Sequence, residues 1–113
     1  MTDDLSLAPF RIHTVDDGSH QLWLFDGDME EVADVFEDRD AESNGHGWES
    51  FARWLLEAEM PDSAERIWFG SESGTFVAGS SDRTALRRLA ERLHTAFHDR
   101  PLLARLVTEA ELD

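Results

Sequence analysis

Two switches of hydrophobic period, each from strict alternation to a three-to-four-residue repeat, constrain this chain more than any other feature. Residues 8–15 (Ala-Pro-Phe-Arg-Ile-His-Thr-Val) alternate, with Phe10 and Ile12 on one face and Arg11 and His13 on the other. Asp17-Gly18 follows, a dipeptide that tolerates the positive φ of a tight hairpin. The returning strand is His20–Phe25, with Leu22 and Leu24 to one side and Trp23 and Phe25 to the other. From Asp28 the spacing turns helical: Met29, Val32, Ala33 and Phe36 recur at i, i+3, i+4 and i+7. Asp28 and Glu31 have the spacing of a capping box. After a polar loop, Arg39 to Gly47, a second helix is expected from about Trp48 to Met60. It turns Trp48, Phe51, Ala52, Leu55 and Leu56 inward and is stopped by Pro61.

The second half follows the same order. Arg66–Phe69 reads as a strand, Glu72-Ser73-Gly74 as a turn and Thr75–Gly79 as the partner strand. Asp82 caps a helix reaching His98, with Leu86, Leu89, Ala90, Leu93 and Phe97 on one face. Pro101 occupies a permitted first-turn position of a final helix carrying Leu102, Leu103, Leu106 and Val107. The expected order is ββαα-ββαα, in which two hairpins join into a four-stranded antiparallel sheet with helices packed on one face, an α+β fold. The halves share pattern but little sequence, so they are not a true repeat.

At 113 residues the chain has the size of one domain, with its core expected over about 8–107. It has no cysteine, which removes disulfides, thiolate metal sites and a cysteine nucleophile together. Twenty-five acids stand against ten bases, all arginine, for a net charge of −15. Phosphate backbones repel such a chain, so nucleic acid is not an expected partner. Met1-Thr2-Asp3-Asp4 lacks the basic start of an export signal, and no apolar run exceeds Leu22–Phe25. A cytoplasmic protein with no membrane contact is expected.

Charge is also segregated along the chain. Asp26 to Glu65 holds fourteen acids and two arginines, a net −12, whereas Arg83 to Arg105 holds six arginines and two acids, a net +4. The outward face of the first helix reads Glu30, Glu31, Asp34, Glu37 and Asp38, and Asp40 and Glu42 extend it. Like charges at helical spacing cost about 0.2–0.5 kcal/mol per pair, and Glu37 and Asp38 lie at the helix end that repels anions. Such a pole either meets a strongly basic partner or expresses a general acidic bias that serves solubility. Trp54 lies at the margin of the second helix's apolar face, the place of an interface anchor or of a tryptophan at the edge of the core.

No constellation for catalysis emerges. Asp26, Asp28, Glu30 and Glu37 match four positions of a calcium loop, but Glu31 stands where the sharp turn needs glycine. Glu91, His94 and His98 share a helix side without an HExxH pattern, and read as boundary residues of the core. Paired acids could serve a hydrolase, yet none lies in an apolar run that would raise its pKa. There is no Gly-x-Ser-x-Gly elbow, P-loop or dinucleotide glycine pattern, and tyrosine and lysine are absent. No catalytic residue, metal site or cofactor is expected. A small carboxylate-dependent hydrolase and an acidic adaptor subunit for a basic protein stand as alternatives.

The stretch Glu42-Ser43-Asn44-Gly45-His46-Gly47-Trp48-Glu49-Ser50-Phe51-Ala52 resembles the signature of the immunity protein 51 family of bacterial polymorphic toxin systems. Asn44, Gly45, Trp48 and Ala52 fit it, while Ser43, His46 and Gly47 stand where a glycine, a tyrosine and an acid are usual. That acid would complete a capping box with Asn44. Glu72 to Asp82, with Gly74 in its turn, resembles the family's second hairpin, and Ala8-Pro9-Phe10-Arg11 its opening. The resemblance implies an antitoxin that works by binding, encoded beside its cognate toxin and without catalytic residues. It also suggests a use for the acidic pole, as a plug for a basic cleft. Asn44, Gly45 and Trp48 then serve turn, cap and core, and the expected contact residues are Asp34, Glu37, Asp38, Asp40, Glu42, His46 and Trp54.

Overall fold

The computed structural model describes residues 7–15 and 17–112. Strands β1 (Arg11–Thr14) and β2 (His20–Phe25) form the first hairpin. Its turn closes through Val15 N–H to Ser19 O at 2.9 Å and uses Gly18 at φ 87°. The Asp17 carboxylate accepts from the Ser19 amide (2.9 Å) and hydroxyl (2.6 Å). Strand β1 is shorter than the alternation of residues 8–15, because the residues ahead of it form a turn that Phe10 N–H closes onto Leu7 O at 2.9 Å.

The expected first helix is broken. Helix α1 (Asp26–Met29), a 3-10 turn (Glu30–Val32) and helix α2 (Ala33–Glu37) follow one another, and Val32 at φ −122° interrupts the spiral. The buried residues are Met29, Val32, Val35 and Phe36, with Ala33 only half-buried. Met29, Val32 and Val35 recur every three residues, the repeat of a 3-10 turn, so a tighter winding brings all of them to the core. The Asp28–Glu31 capping box does not form: α1 starts straight from β2, and the Asp26 amide is satisfied by Gly74 O at 3.0 Å. Helix α2 ends in a Schellman motif, with Ala41 N–H on Phe36 O (3.0 Å), Asp40 N–H on Glu37 O (3.1 Å) and Asp40 left-handed at φ 57°.

Helix α3 (Gly45–Glu59) begins three residues before Trp48. Pro61 does more than stop it, because it opens the single turn α4 (Pro61–Ala64). Strand β3 is only Trp68–Phe69, since Arg66 and Ile67 close turns onto Ser63 and Ala64. Strand β4 (Thr75–Ser80) is followed by α5 (Arg83–Phe97) and α6 (Arg100–Ala110). The Asp82 side chain caps α5 through the Ala85 amide (3.2 Å), and that of Asp99 caps α6 through Leu102 (3.2 Å). The order is thus two strands, a broken helix, α3 and α4, two strands, α5 and α6, instead of a strict ββαα-ββαα.

The sheet runs β1-β2-β4-β3, antiparallel throughout. Leu22 lies opposite Ala78 and Leu24 opposite Phe76, so these positions and Ile12 face the helices. Trp48 is fully buried at the centre, its ring 5.0 Å from Phe36, 5.8 Å from Phe51, 6.0 Å from Phe10 and 6.1 Å from Phe97. Its indole N–H has no hydrogen-bond partner among the described residues, so its contribution is that of ring packing.

Candidate functional site

Arginines match part of the acidic segment and leave part of it open. Asp34 is ion-paired to Arg100, whose other nitrogen donates to Glu31 O at 3.1 Å. Glu49 is met by Arg53 at 3.3 Å, and Glu59 by Arg92 through two bonds of 2.6 and 3.0 Å. Glu37, Asp38 and Asp40 are exposed, and among the described residues none of them has a hydrogen-bonded or ion-paired cation. Arg39, inside that run, is turned away from it: Nε donates to Thr108 Oγ1 and Nη1 to Val35 O, both at 2.9 Å. The nearest guanidinium thus satisfies the α2 C-terminus and ties it to α6, leaving the three carboxylates to solvent.

The loop after α2 carries the charge to the start of α3. Glu42 is exposed and accepts from Asn44 Nδ2 at 3.1 Å, and His46 is exposed in the first turn of α3. Asn44 caps α3 through Oδ1 and the Gly47 amide at 2.8 Å, so the cap forms without an acid at position 47. Gly45 donates to Ser73 O at 3.0 Å, and a Cβ on it would sit 1.7 Å from Glu72 O. A Cβ on Gly47 would sit 1.8 Å from Glu42 O. Asn44, Gly45 and Trp48 are therefore the joint between α3, the acidic loop and the second hairpin. Gly74 offers its carbonyl to Asp26, and a Cβ there would meet nothing closer than 3.7 Å. Trp54 is half-buried and stacked on Phe51 (6.4 Å, 15°), at the edge of the core.

Asp17 and Asp82 are held below the ordinary carboxylate range, Asp17 by its bonds from Ser19 and Asp82 mainly by the Ala85 amide, helped by Arg66. A general acid needs the opposite shift. His94 and His98 lie 4.5 Å apart, ring to ring, and burial followed by the charge of His98 lowers the His94 pKa. Among the described residues no three His, Asp or Glu side chains group as metal ligands would, and no helix is long and apolar enough to cross a membrane.

A second surface escaped the reading of charge. The outward positions of the sheet carry Arg11 and His13 on β1, Trp23 and Phe25 on β2, Val77 on β4 and Trp68 on β3. Arg11, His13, Trp23 and Phe25 line a groove of about 250 Å³. The alternation of β2 already assigned Trp23 and Phe25 to the side opposite Leu22 and Leu24. Two aromatics on a strand's solvent side were the available signal.

No curated protein and no solved structure matches the chain. The model of a family described as Immunity protein 51 matches residues 10–112. With nearly its whole length matched, the chain belongs to the Immunity protein 51 family.

Proposed function

We propose that the chain acts as one immunity domain that binds and neutralises a cognate bacterial toxin in the cytoplasm, without catalysis, through an acidic surface that meets a basic face of the toxin. Family membership supports the immunity role. The acidic contact rests on a single observation: Glu37, Asp38 and Asp40 lack cation partners among the described residues, while Asp34, Glu49 and Glu59 each have one. These three carboxylates lie close together in the chain and are free to meet a partner, and an opposite potential on it would speed encounter and select orientation. Glu42, His46, Asp34 and Trp54 are the further residues of the proposed contact, Asp34 being ion-paired to Arg100 and Trp54 stacked on Phe51. The −15 net charge disfavours nucleic acid, and no membrane contact is proposed.

The test uses the toxin encoded beside this chain. Wild type should rescue growth of cells expressing that toxin and associate quickly at low salt, with a rate that falls as ionic strength rises. The triple variant Glu37→Arg/Asp38→Arg/Asp40→Arg should keep its circular dichroism, lose roughly 100-fold in association rate and fail to rescue. Unchanged affinity in that variant would remove the acidic contact. Failure of the wild type to bind the toxin would remove the immunity role itself.

A further inference from the structure

The outward face of the sheet is unusual for so acidic a chain. Its nine strand positions alternate with the buried ones: Arg11, His13, Gln21, Trp23, Phe25, Trp68, and then Thr75, Val77 and Gly79. None is an acid, although 25 of the 113 residues are. Trp23, Phe25, Val77 and Trp68 stand apart from the core, and Trp68 is 46% exposed, the one large hydrophobic so exposed among the described residues. The patch is ordered. Trp23 packs edge-on against Phe25 (5.6 Å) and near His13 (6.3 Å), and its indole N–H donates to Gln21 Oε1 at 2.8 Å. Trp68 lies over Gly79, where a Cβ would come within 2.1 Å of the indole ring. Arg11, opposite Trp23, is exposed and has no hydrogen bond or ion pair among the described residues.

We infer that this helix-free face is a second contact surface for the toxin, taking from it an apolar side chain in the groove of Trp23 and Phe25 and, beside it, a carboxylate on Arg11. The inference rests on the immunity reading above and adds a site to it. Three observations choose the occupant. Arg11, with no acid on the face, complements an anionic neighbour and repels the basic segment that the acidic pole would take. Tryptophan and arginine in a groove are the residue types that anchor protein interfaces. A second copy of this chain fits poorly, because each carries −15 and four strands of at most six residues present about 400 Å², roughly half of what one partner buries in a stable complex. Asp26 follows Phe25 directly and Asp28 comes soon after, so the acidic segment of the chain begins at the edge of this face. Two patches of opposite sign on one chain admit the toxin in one orientation.

The experiment measures binding of the full chain to a catalytically inactivated form of the toxin encoded beside it. Trp23→Ser and Arg11→Glu alter outward side chains and should retain wild-type circular dichroism and melting. Trp23→Ser should weaken binding at least about 30-fold, chiefly through faster dissociation, and Arg11→Glu about 10-fold. Fluorine NMR of the chain carrying fluorotryptophan gives a readout independent of substitution: the Trp23 resonance, assigned by its loss in Trp23→Ser, should shift when toxin is added. Wild-type affinity in both variants, or an unmoved Trp23 resonance in a toxin-bound sample, overturns the inference and leaves the immunity reading standing. A wild-type chain that binds no toxin overturns both. Sedimentation of the free chain as a dimer that Trp23→Ser dissociates would assign the face to a second copy and overturn the inference as well.

Discussion

Asp40 holds a position where the backbone and the side chain make opposite demands. Its φ of 57° is the left-handed conformation that glycine adopts without strain and an L-residue adopts at a cost, and it closes the Schellman motif at the end of α2. Its carboxylate sits beside Glu37 and Asp38 at the negative end of that helix. Glycine would suit both backbone and dipole, so the acid there points to a use outside the fold, as residues kept at a stability cost often do. Asp40→Gly should raise stability by about 1 kcal/mol, read from urea denaturation, while slowing association with the toxin. A variant that is no more stable would show that Asp40 bears no backbone strain. Gly45 shows the reverse relation, since contact with Glu72 O leaves no room for any side chain and its role was legible only as part of a turn.

Element by element, the helices that bury a continuous stripe were readable and those under mixed constraints were not. Helix α5 followed its i, i+3, i+4 pattern from the Asp82 cap to Phe97, because one face is buried along its whole length, against the sheet and, at Phe97, against Trp48 and Phe10. The segment after β2 broke into α1, a 3-10 turn and α2, because Met29, Val32 and Val35 repeat every three residues and must all reach the core. A helical template fitted to Met29, Val32, Ala33 and Phe36 could not register that choice. Helix α5 also carries a pH dependence. Burial and the neighbouring His98 lower the His94 pKa below 6.5, so on acidification the unfolded chain takes up its proton first. The stability due to a neutral His94 is complete above about pH 6.5 and falls as pH drops from there toward the depressed folded value. Urea midpoints should therefore decline on acidification in wild type, and less so in His94→Gln. Equal declines in the two proteins would place the pH dependence elsewhere.

Over the whole molecule, fifteen uncompensated negative charges share a body of 39 × 29 × 23 Å. Self-repulsion at that density opposes the compact state. Four of the ion pairs that bind it, Arg53–Glu49, Arg66–Asp82, Arg87–Glu91 and Arg100–Asp34, have at least one strongly exposed partner each and contribute about 0–1 kcal/mol apiece, whereas the two-bond Arg92–Glu59 pair is mostly shielded on both sides. Screening should thus favour the folded state. Raising sodium chloride from about 0.02 to 0.5 M should increase the melting temperature by roughly 4 °C, as followed by circular dichroism. A falling melting temperature would mean that the internal pairs outweigh the repulsion. The same salt series should slow toxin association, so stability and encounter rate move in opposite directions if the acidic pole is the contact.

The α+β class, the two hairpins and the buried stripes of α3 and α5 were determined by the sequence alone, because hydrophobic period is a local property that each segment expresses on its own. The concentration of acid between Asp26 and Glu65 was equally visible as a count. Which of those acids stay unmatched was decided only by tertiary structure, since Arg100 reaches Asp34 and Arg92 reaches Glu59 from helices distant in the chain. So was the open face of the sheet. Alternation separates two sides of a strand, but only the packing of α1, α3 and α5 against one of them leaves Trp23, Phe25 and Arg11 on the other.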